Sequence, residues 1–553
     1  SFALKAEEAY FIPIPADKSQ ALATLELLRP ALEKKGVPKI AQNAKFDLQV
    51  LSRYGIQVAP PIEDTMLIHY VLEPERRHNM DYMSETYLDY APVAIETLIG
   101  SKGKRQLTMR DVPLAKLADY AAEDADITLR LFEHLRPQLT EQRLSLYTDI
   151  ELPLIPVLAD MEQAGVKIDA DFLQEYTKIL AVELQQLEQK IYTQAGTKFN
   201  LNSPAQVGEI LFDRLKIPYR WKLTSKNKQY STDEEKLSEL AEEHKIVAEI
   251  LEYRQVAKLQ STYAEALPTL ISPATGMVHS SFNQALTATG RLSSQNPNLQ
   301  NIPIRSERGR EIRKAFVARN PERSILAADY SQIELRLVAA MSRDETMLGA
   351  FQQGLDIHTA TAARIYGVPL EEVTKQQRYA AKTVNFSIIY GAGATNLSRQ
   401  LDISRKDAAT LIEQYFTQYP TLKTYMEGIV ENARKSGYVT TLCGRRRYLR
   451  DLHSSSSLMR SHAERNAVNT PIQGTAADMI KIAMVRIHEQ IRLNNLRSQL
   501  VLQVHDELVF DAFNEEIPQL TEIIRHCMQT ALPSLDVPIE VGIGIGSNWL
   551  EAH

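Results

Sequence analysis

The stretch that most constrains this chain is ILAADYSQIELR, residues 325–336. Ile325, Leu326, Ala327 and Ala328 form an unbroken apolar run of strand length. Ser331 with Glu334 three places on has the form of a capping box opening a helix. Asp329 then stands where a buried strand gives way to a helix, a support rigid enough to fix a carboxylate. A second run, LVLQVHDELVF at 500–510, alternates Leu500, Leu502, Val504, Leu508 and Phe510 like a hairpin buried on one face. Its tip is expected near His505 and Asp506, with Glu507 following. An Asp at a strand end most often caps a turn. Two brought together offer another use, because hard cations such as Mg2+ take oxygen ligands, and a pair of them stabilises the attacking and leaving oxygens of phosphoryl transfer.

Length and composition narrow the classes. A chain of 553 residues, 44% hydrophobic and 24% charged, has room for three or four folded domains. No apolar run approaches the ~20 residues that cross a bilayer. The opening SFALKAEEAYFIPIP lacks the basic-then-apolar order of a signal peptide. Two cysteines, Cys443 and Cys527, exclude a disulfide framework and a Cys-rich zinc site and fit a reducing compartment. The net charge of −6 does not mark a nucleic-acid binder, but basic residues cluster at 305–323 and 434–450. Such clusters serve as solvated faces as readily as phosphate sites.

In chain order, residues 1–140 read as α/β. AYFIPIP is a strand, 21–34 a helix broken or kinked at Pro30, and 118–135 a further helix. Asn43 and Asp47 in NAKFD, and Tyr120 and Asp124 in YAAED, each stand four apart on one helical face, which the polar side of a packing helix explains when either pair is taken singly. From 150 to 285 the pattern is helical. Phe172, Tyr176, Ile179, Leu180, Leu184, Leu187 and Ile191 make one stripe; Leu237, Leu240, Val247, Ile250, Leu251 and Leu259 make another. These predict an antiparallel pair, with Ser203 capping an intervening helix opened by Pro204 and a polar loop at 222–228 near the tip. Such an arm suits a grip on a long ligand. Its stripes are too short for a dimerising coiled coil, and a monomer is expected. The stretch 288–305, ATGRLSSQNPNLQNIPIR, has neither period, and long ordered loops of this kind are uncommon unless functional.

The segment 377–393, QRYAAKTVNFSIIYGAG, carries the most chemistry. Arg378, Lys382, Phe386 and Tyr390 fall every four residues and share one side of a helix; Ala381, Val384, Ile388 and Ile389 lie off that row, and Gly391 and Gly393 stop it. Two cations followed by two rings suit a nucleoside triphosphate, phosphates on the first pair and base and sugar on the second. A helix with incidental basic residues is the plainer reading. A second segment, AERNAVNTPIQGTAADMI, spaces Arg465, Asn469 and Gln473 by four, donors suited to the minor-groove acceptors common to all base pairs.

DYSQIELR, VHDE, RYAAKTVNFSIIYG, TGRLSSQNPNLQNIPIR and ERNAVNTPIQGTAAD together resemble, in order, the signatures of the family A DNA polymerases, the family of the large (Klenow-like) fragment of bacterial polymerase I. The likeness spans nearly the whole chain. It implies a multi-domain α/β right hand, an antiparallel-sheet palm with helical fingers and thumb, beside a truncated ribonuclease H-like 3′–5′ exonuclease domain. The implied division is 1–140 exonuclease-like, 141–170 connector, 171–285 thumb, 286–355 palm, 356–489 fingers and 490–553 palm again. The resemblance implies that Asp329, Asp506 and the Tyr330 carbonyl hold two Mg2+ ions, Mn2+ being an acceptable substitute, with Glu507 a nearby acid. It implies that Arg378, Lys382, His358 and Gln332 meet the incoming deoxynucleoside triphosphate, Lys382 also as proton donor to pyrophosphate. Phe386 would sense the 3′ side of the sugar, Tyr390 stack near the nascent pair, and Glu334 exclude a ribose 2′-OH, a duty that competes with helix capping. Arg291 and Gln473 would read the minor groove, and Arg465, Asn469 and His505 support primer and template.

NAKFD and YAAED resemble the second and third exonuclease motifs, supplying Asp47 and Asp124, with Tyr120 beside them. The Asp-x-Glu of the first motif is absent from the chain as given, so little proofreading is expected. The implied protein copies DNA in repair and replication, in the bacterial cytoplasm at the nucleoid. Two other readings share parts of this plan: a single-subunit RNA polymerase, expected to lack a Glu at position 334, and a non-catalytic DNA clamp, expected to bind DNA without regard to Mg2+.

Overall fold

The computed structural model describes every residue except 104, 225–227, 304 and 305. Part of the polar loop at 222–228 and the end of the 288–305 stretch therefore lie outside the described residues.

Everything that positions the site hangs on one antiparallel sheet, ordered Gln499–Val504, Glu507–Phe513, Arg323–Tyr330, Val541–Gly546. Glu507 pairs with Asp329 and Tyr330 with Val541. Val504 pairs with Glu507, which leaves His505 and Asp506 as a two-residue turn, His505 at φ 56°. The hairpin tip falls where the alternation places it. Its burial does not follow the one-sided pattern: Val501, Gln503 and Val509 are as enclosed as Leu502 and Leu508. Helices Leu152–Ala164 and Ile517–Gln529 pack against these strands, and a strand in the interior tolerates apolar groups at both phases.

The expected capping box is not formed. The helix after the strand runs Ile333–Ser342, and its N-cap is Gln332 in the left-handed region with no side-chain cap. Glu334 instead accepts from Arg291 and Tyr390, cationic and phenolic donors from other elements that outbid a local backbone amide.

The predicted helix pair is present. Ala170–Ala195 and Lys245–Leu259 run antiparallel: Tyr253 meets Glu188 at 3.3 Å and Gln260 meets Thr177 at 3.3 Å, while Glu249 lies by Gln194. The second stripe is broken in two, because a separate helix Glu234–Ala241 carries Leu237 and Leu240. Ser203 caps Pro204–Gly208 as read.

In the amino-terminal region AYFIPIP is not a strand throughout. Glu8–Tyr10 pairs with Phe2–Lys5, and Pro13 and Pro15, which donate no ladder hydrogen bond, lie beyond it. The Lys18–Leu32 helix passes through Pro30 and stops two residues later, with Asp17 as its cap. Lys39–Ala41 and Ile62–Asp64 form a parallel pair. The core here, built on Leu67, Tyr70, Ile127 and Leu131, continues into Tyr147, Ile150, Ile155 and Ala285, so this region is packed onto the rest of the chain. No helix among the described residues is long and apolar enough to cross a membrane.

Candidate active site

Asp329 is the penultimate residue of its strand, and Asp506 sits in the turn beside it. The Tyr330 amide donates to the Asp506 carbonyl at 3.3 Å, which pins the two backbones together. Burial, then the charges of Asp506 and Glu507, push the Asp329 carboxyl up to about 7. Burial, with Glu334 and Glu507 adding to it against Arg291, pushes Asp506 up to about 6. Both carboxylates thus sit in a place that resists their charge. Among the described residues no group of three or more His, Cys, Asp and Glu side chains forms a metal cage. Two carboxylates lining one cleft could hold a hard cation that keeps water and substrate oxygens as its other ligands.

These groups form one wall of a cleft of about 550 Å³. The opposite wall is the Lys375–Ile389 helix, started by a Thr374–Gln377 capping box and ended at Tyr390, with Gly391 at φ 68°. A side chain at Gly391 would meet Arg465 Cγ at 2.8 Å, so the turn that ends this helix needs glycine. Arg378, Lys382, Phe386 and Tyr390 all face the cleft, and Ala381, Val384, Ile388 and Ile389 are buried behind them. The Phe386 and Tyr390 rings stack 6.3 Å apart at 15°. His358 stands 5.7 Å from Phe386.

Second partners tune these groups. Arg378 holds Asp356 with two bonds, 3.1 Å from Nε and 2.8 Å from Nη2. Burial opposes the Asp356 charge, yet Arg378 and Thr359 hold its carboxyl down to about 2. His358 is buried, which with the nearby Lys382 and Arg378 charges lowers its ring to about 4 and leaves it neutral. Asn385 donates to its Nδ1 at 3.1 Å, so the ring proton sits on Nε2 as a donor. At the floor, Glu334 accepts from Arg291 at 2.7 Å and from the Tyr390 hydroxyl. Gln332 and His505 also line the cleft.

Four of the residues predicted for the polymerase site lie outside the cleft lining. Glu507 spends one carboxylate oxygen on Trp549 Nε1 at 2.8 Å and His553 Nδ1 at 3.2 Å, and the other lies 3.6 Å from Arg313. Arg465, Asn469 and Gln473 stand on the Ser457–Leu493 helix, which lends the cleft Ala476, Ala477, Ile480 and Lys481 from further along. Asp47 and Asp124 lie elsewhere, in the amino-terminal region. Both are pushed up to about 6, mainly by burial. Tyr120 lies beside Asp124 on Leu114–Leu135, whereas Asn43 is the left-handed residue before Ala44–Ser52, not part of that helix's face.

Asp356, Asn385 and Lys481 were not singled out from the sequence. Asp356 does carry a local signal, an Asp at the N-cap of Ile357–Tyr366. The other two act across elements and have none.

A model of DNA polymerase family A matches residues 170–551, and one for a 3′–5′ exonuclease matches residues 1–140. The chain belongs to the family A DNA polymerases. It is 44% identical over 565 aligned residues to DNA polymerase I of Pseudomonas aeruginosa, covering 100% of this chain and 61% of that protein. With DNA polymerase I of Chloroflexus aurantiacus it shares 45% over 558 residues, covering 100% of this chain and 59% of the relative. The chain thus spans about 60% of the length of these curated relatives. Among solved structures it is similar to the POL domain of Pol1 from M. smegmatis in complex with DNA primer-template and dNTP, at TM-score 0.86 and 36% identity, covering 97% of this chain and 90% of that one. The right-hand family A fold expected from the motifs, with an exonuclease domain beside it, is the fold of this chain.

Proposed function

We propose that this chain is a DNA-directed DNA polymerase that adds deoxynucleotides to a primer 3′-OH on a template strand, using two Mg2+ ions or, in their place, Mn2+. One observation carries the reading: Asp329 and Asp506 share a cleft with Arg378, Lys382, Phe386, Tyr390 and the Nε2–H of His358. Acid pair, cations and rings in that order match the metal, triphosphate and nucleoside of one substrate. The donor set fits divalent ions, since the two carboxylates repel each other and Tyr330 lines the same cleft. Bound there, the ions supply the activation of the attacking hydroxyl and the neutralisation of the leaving oxygen.

The chain's own residues do the rest. Arg378 exchanges Asp356 for a phosphate oxygen as the triphosphate enters. Lys382 holds a proton at Nζ for the departing pyrophosphate. Gln332 and His358 donate to the nucleotide, and Phe386 and Tyr390 hold the sugar and the nascent pair by stacking. Glu334, tied down by Arg291 and Tyr390, leaves no space for a 2′-OH. Arg291 and Gln473 read the minor groove, with Arg465, Asn469 and His505 along primer and template. Glu507 is a positioning residue that braces the strand beneath Asp329. Asp47, Tyr120 and Asp124 belong to the exonuclease domain's own site. The protein works as a monomer on nucleoid DNA in the cytoplasm, with palm, fingers, thumb and connector divided at the boundaries given above.

Primer extension with Mg2+ tests this. Asp506→Asn should lose extension by about three orders of magnitude, as expected when a metal ligand is removed, while primer–template binding persists. Comparable extension by the variant overturns the metal assignment. A preference for ribonucleotides by the unaltered protein would favour an RNA polymerase.

A further inference from the structure

We infer that Tyr70, in the amino-terminal exonuclease-like domain, is a positioning residue of the polymerase cleft, acting through Thr287 on Arg291. The inference rests on the polymerase reading above.

Arg291 stands at the end of a short turn and reaches the cleft floor, where its Nη2 meets Glu334. A long flexible cation is useful there only if its backbone is held. Three hydrogen bonds hold it, one of them from the Gly290 amide to the Thr287 carbonyl at 3.3 Å. The Thr287 hydroxyl donates to the Arg291 carbonyl at 2.6 Å, closing the turn on itself. The Tyr70 hydroxyl donates to the Thr287 carbonyl at 2.7 Å across 217 positions of sequence. Tyr70 is fully buried on the Thr65–Leu72 helix, so its hydroxyl has no route to water in place of that carbonyl.

The far side of the turn is held as firmly. Gly290 adopts φ +88° and lies directly against the Arg445 guanidinium, leaving no room for a side chain. Arg445 is itself fixed in a buried set of four charges. It donates to Asp478 at 3.0 and 2.7 Å and to Glu151, and Lys481 Nζ meets Glu151 at 2.8 Å. Two anions and two cations balance, and Gln284 and Thr441 take up further carboxylate oxygens. The Tyr70 ring closes the set, 5.5 Å from the Arg445 guanidinium and 6.0 Å from Lys481 Nζ. Lys481 also lines the cleft. The Arg291 turn is therefore clamped between a tyrosine of one domain and an arginine of another, with Glu151 of the connecting segment between them.

A buried charge set of this kind adds little to stability over an apolar packing, but it fixes geometry sharply. Here the geometry is that of the residue we assign to the minor groove. The exonuclease-like domain then serves synthesis whether or not it cleaves DNA.

Single-turnover extension on a matched primer terminus tests this with the full chain. Tyr70→Phe keeps the ring and removes only the hydroxyl, and it should slow incorporation about five- to tenfold, the worth of one hydrogen bond, with the KM for dNTP unchanged within about twofold. The loss should vanish in the Arg291→Ala background, and on a primer ending in 3-deazaguanine, which lacks the minor-groove acceptor. Thr287→Val, a change at the other link, should reproduce both patterns and carries the test should Tyr70→Phe unfold earlier on heating. An equal loss with and without Arg291, or none in either variant, overturns the inference. Failure of the polymerase reading is distinct: the unaltered chain would then extend no primer.

Discussion

Replacing Asp506 with Asn should stabilise the metal-free protein while abolishing synthesis. The folded chain holds Asp329 near 7 and Asp506 near 6, both far above the ordinary 3.8. Carboxyls raised in this way favour the protonated fold, so the pair's contribution to stability falls as pH rises from about 4 to about 7. At pH 8 both are ionised and the metal-free fold carries their repulsion and desolvation in full. The Asp506 shift alone corresponds to about 3 kcal/mol at about 1.4 kcal/mol per unit, and solvent entering the cleft reduces the expected gain to about 1–2 kcal/mol. Asn removes that charge and lets Asp329 relax downward. The assay is chemical or thermal unfolding in EDTA, followed by the fluorescence of Trp549, which is buried against Glu507. The variant should be more stable at pH 8, by less at pH 5, and indistinguishable only near pH 3, below the ordinary carboxylate value, where residue 506 is uncharged in both folded and unfolded chains. Adding Mg2+ and dNTP should then close the gap by stabilising only the unaltered protein. An Asp506→Asn protein no more stable at pH 8 would refute the claim that the two carboxylates face each other.

Three further outcomes follow from the same geometry. Lys382→Ala should lower the rate of incorporation about 10²-fold, the usual worth of a positioned acid; an unchanged rate would remove Lys382 from proton transfer. Glu334→Ala should cut discrimination against ribonucleotides by about 10², because the floor tied to Arg291 and Tyr390 is gone; competition between rNTP and dNTP reads it directly. His358 is held near 4 by burial, so it carries no charge between pH 6 and 9 and its titration should be missing from kcat/KM in that range. Its depressed ring costs stability as pH falls from 6.5 toward 4, and His358→Gln should lessen acid unfolding in that window.

What was legible in the sequence was carried by local pattern. Alternation located the hairpin whose tip holds Asp506, and four-residue spacing put Arg378, Lys382, Phe386 and Tyr390 on one helix face. Side-chain partners across elements left no such trace. Ser331 and Glu334 looked like a capping box because spacing alone cannot show that Arg291, 43 residues away, and Tyr390, 56 away, compete for the same carboxylate. Glu507 looked like a third site acid, and only the return of Trp549 and His553 to the sheet shows where its oxygens are used. The buried set around Glu151 draws on segments 294 and 330 residues apart, beyond any window of local reading.

The proposed chemistry depends on Asp329 and Asp506 holding shared divalent ions beneath an incoming nucleotide. Anomalous diffraction from crystals of the protein with primer–template, a non-reacting dNTP analogue and Mn2+ tests it most directly. Metal peaks should appear within bonding distance of both carboxylates and of the triphosphate. Mn2+ held by the triphosphate alone, with either carboxylate turned away, would contradict it.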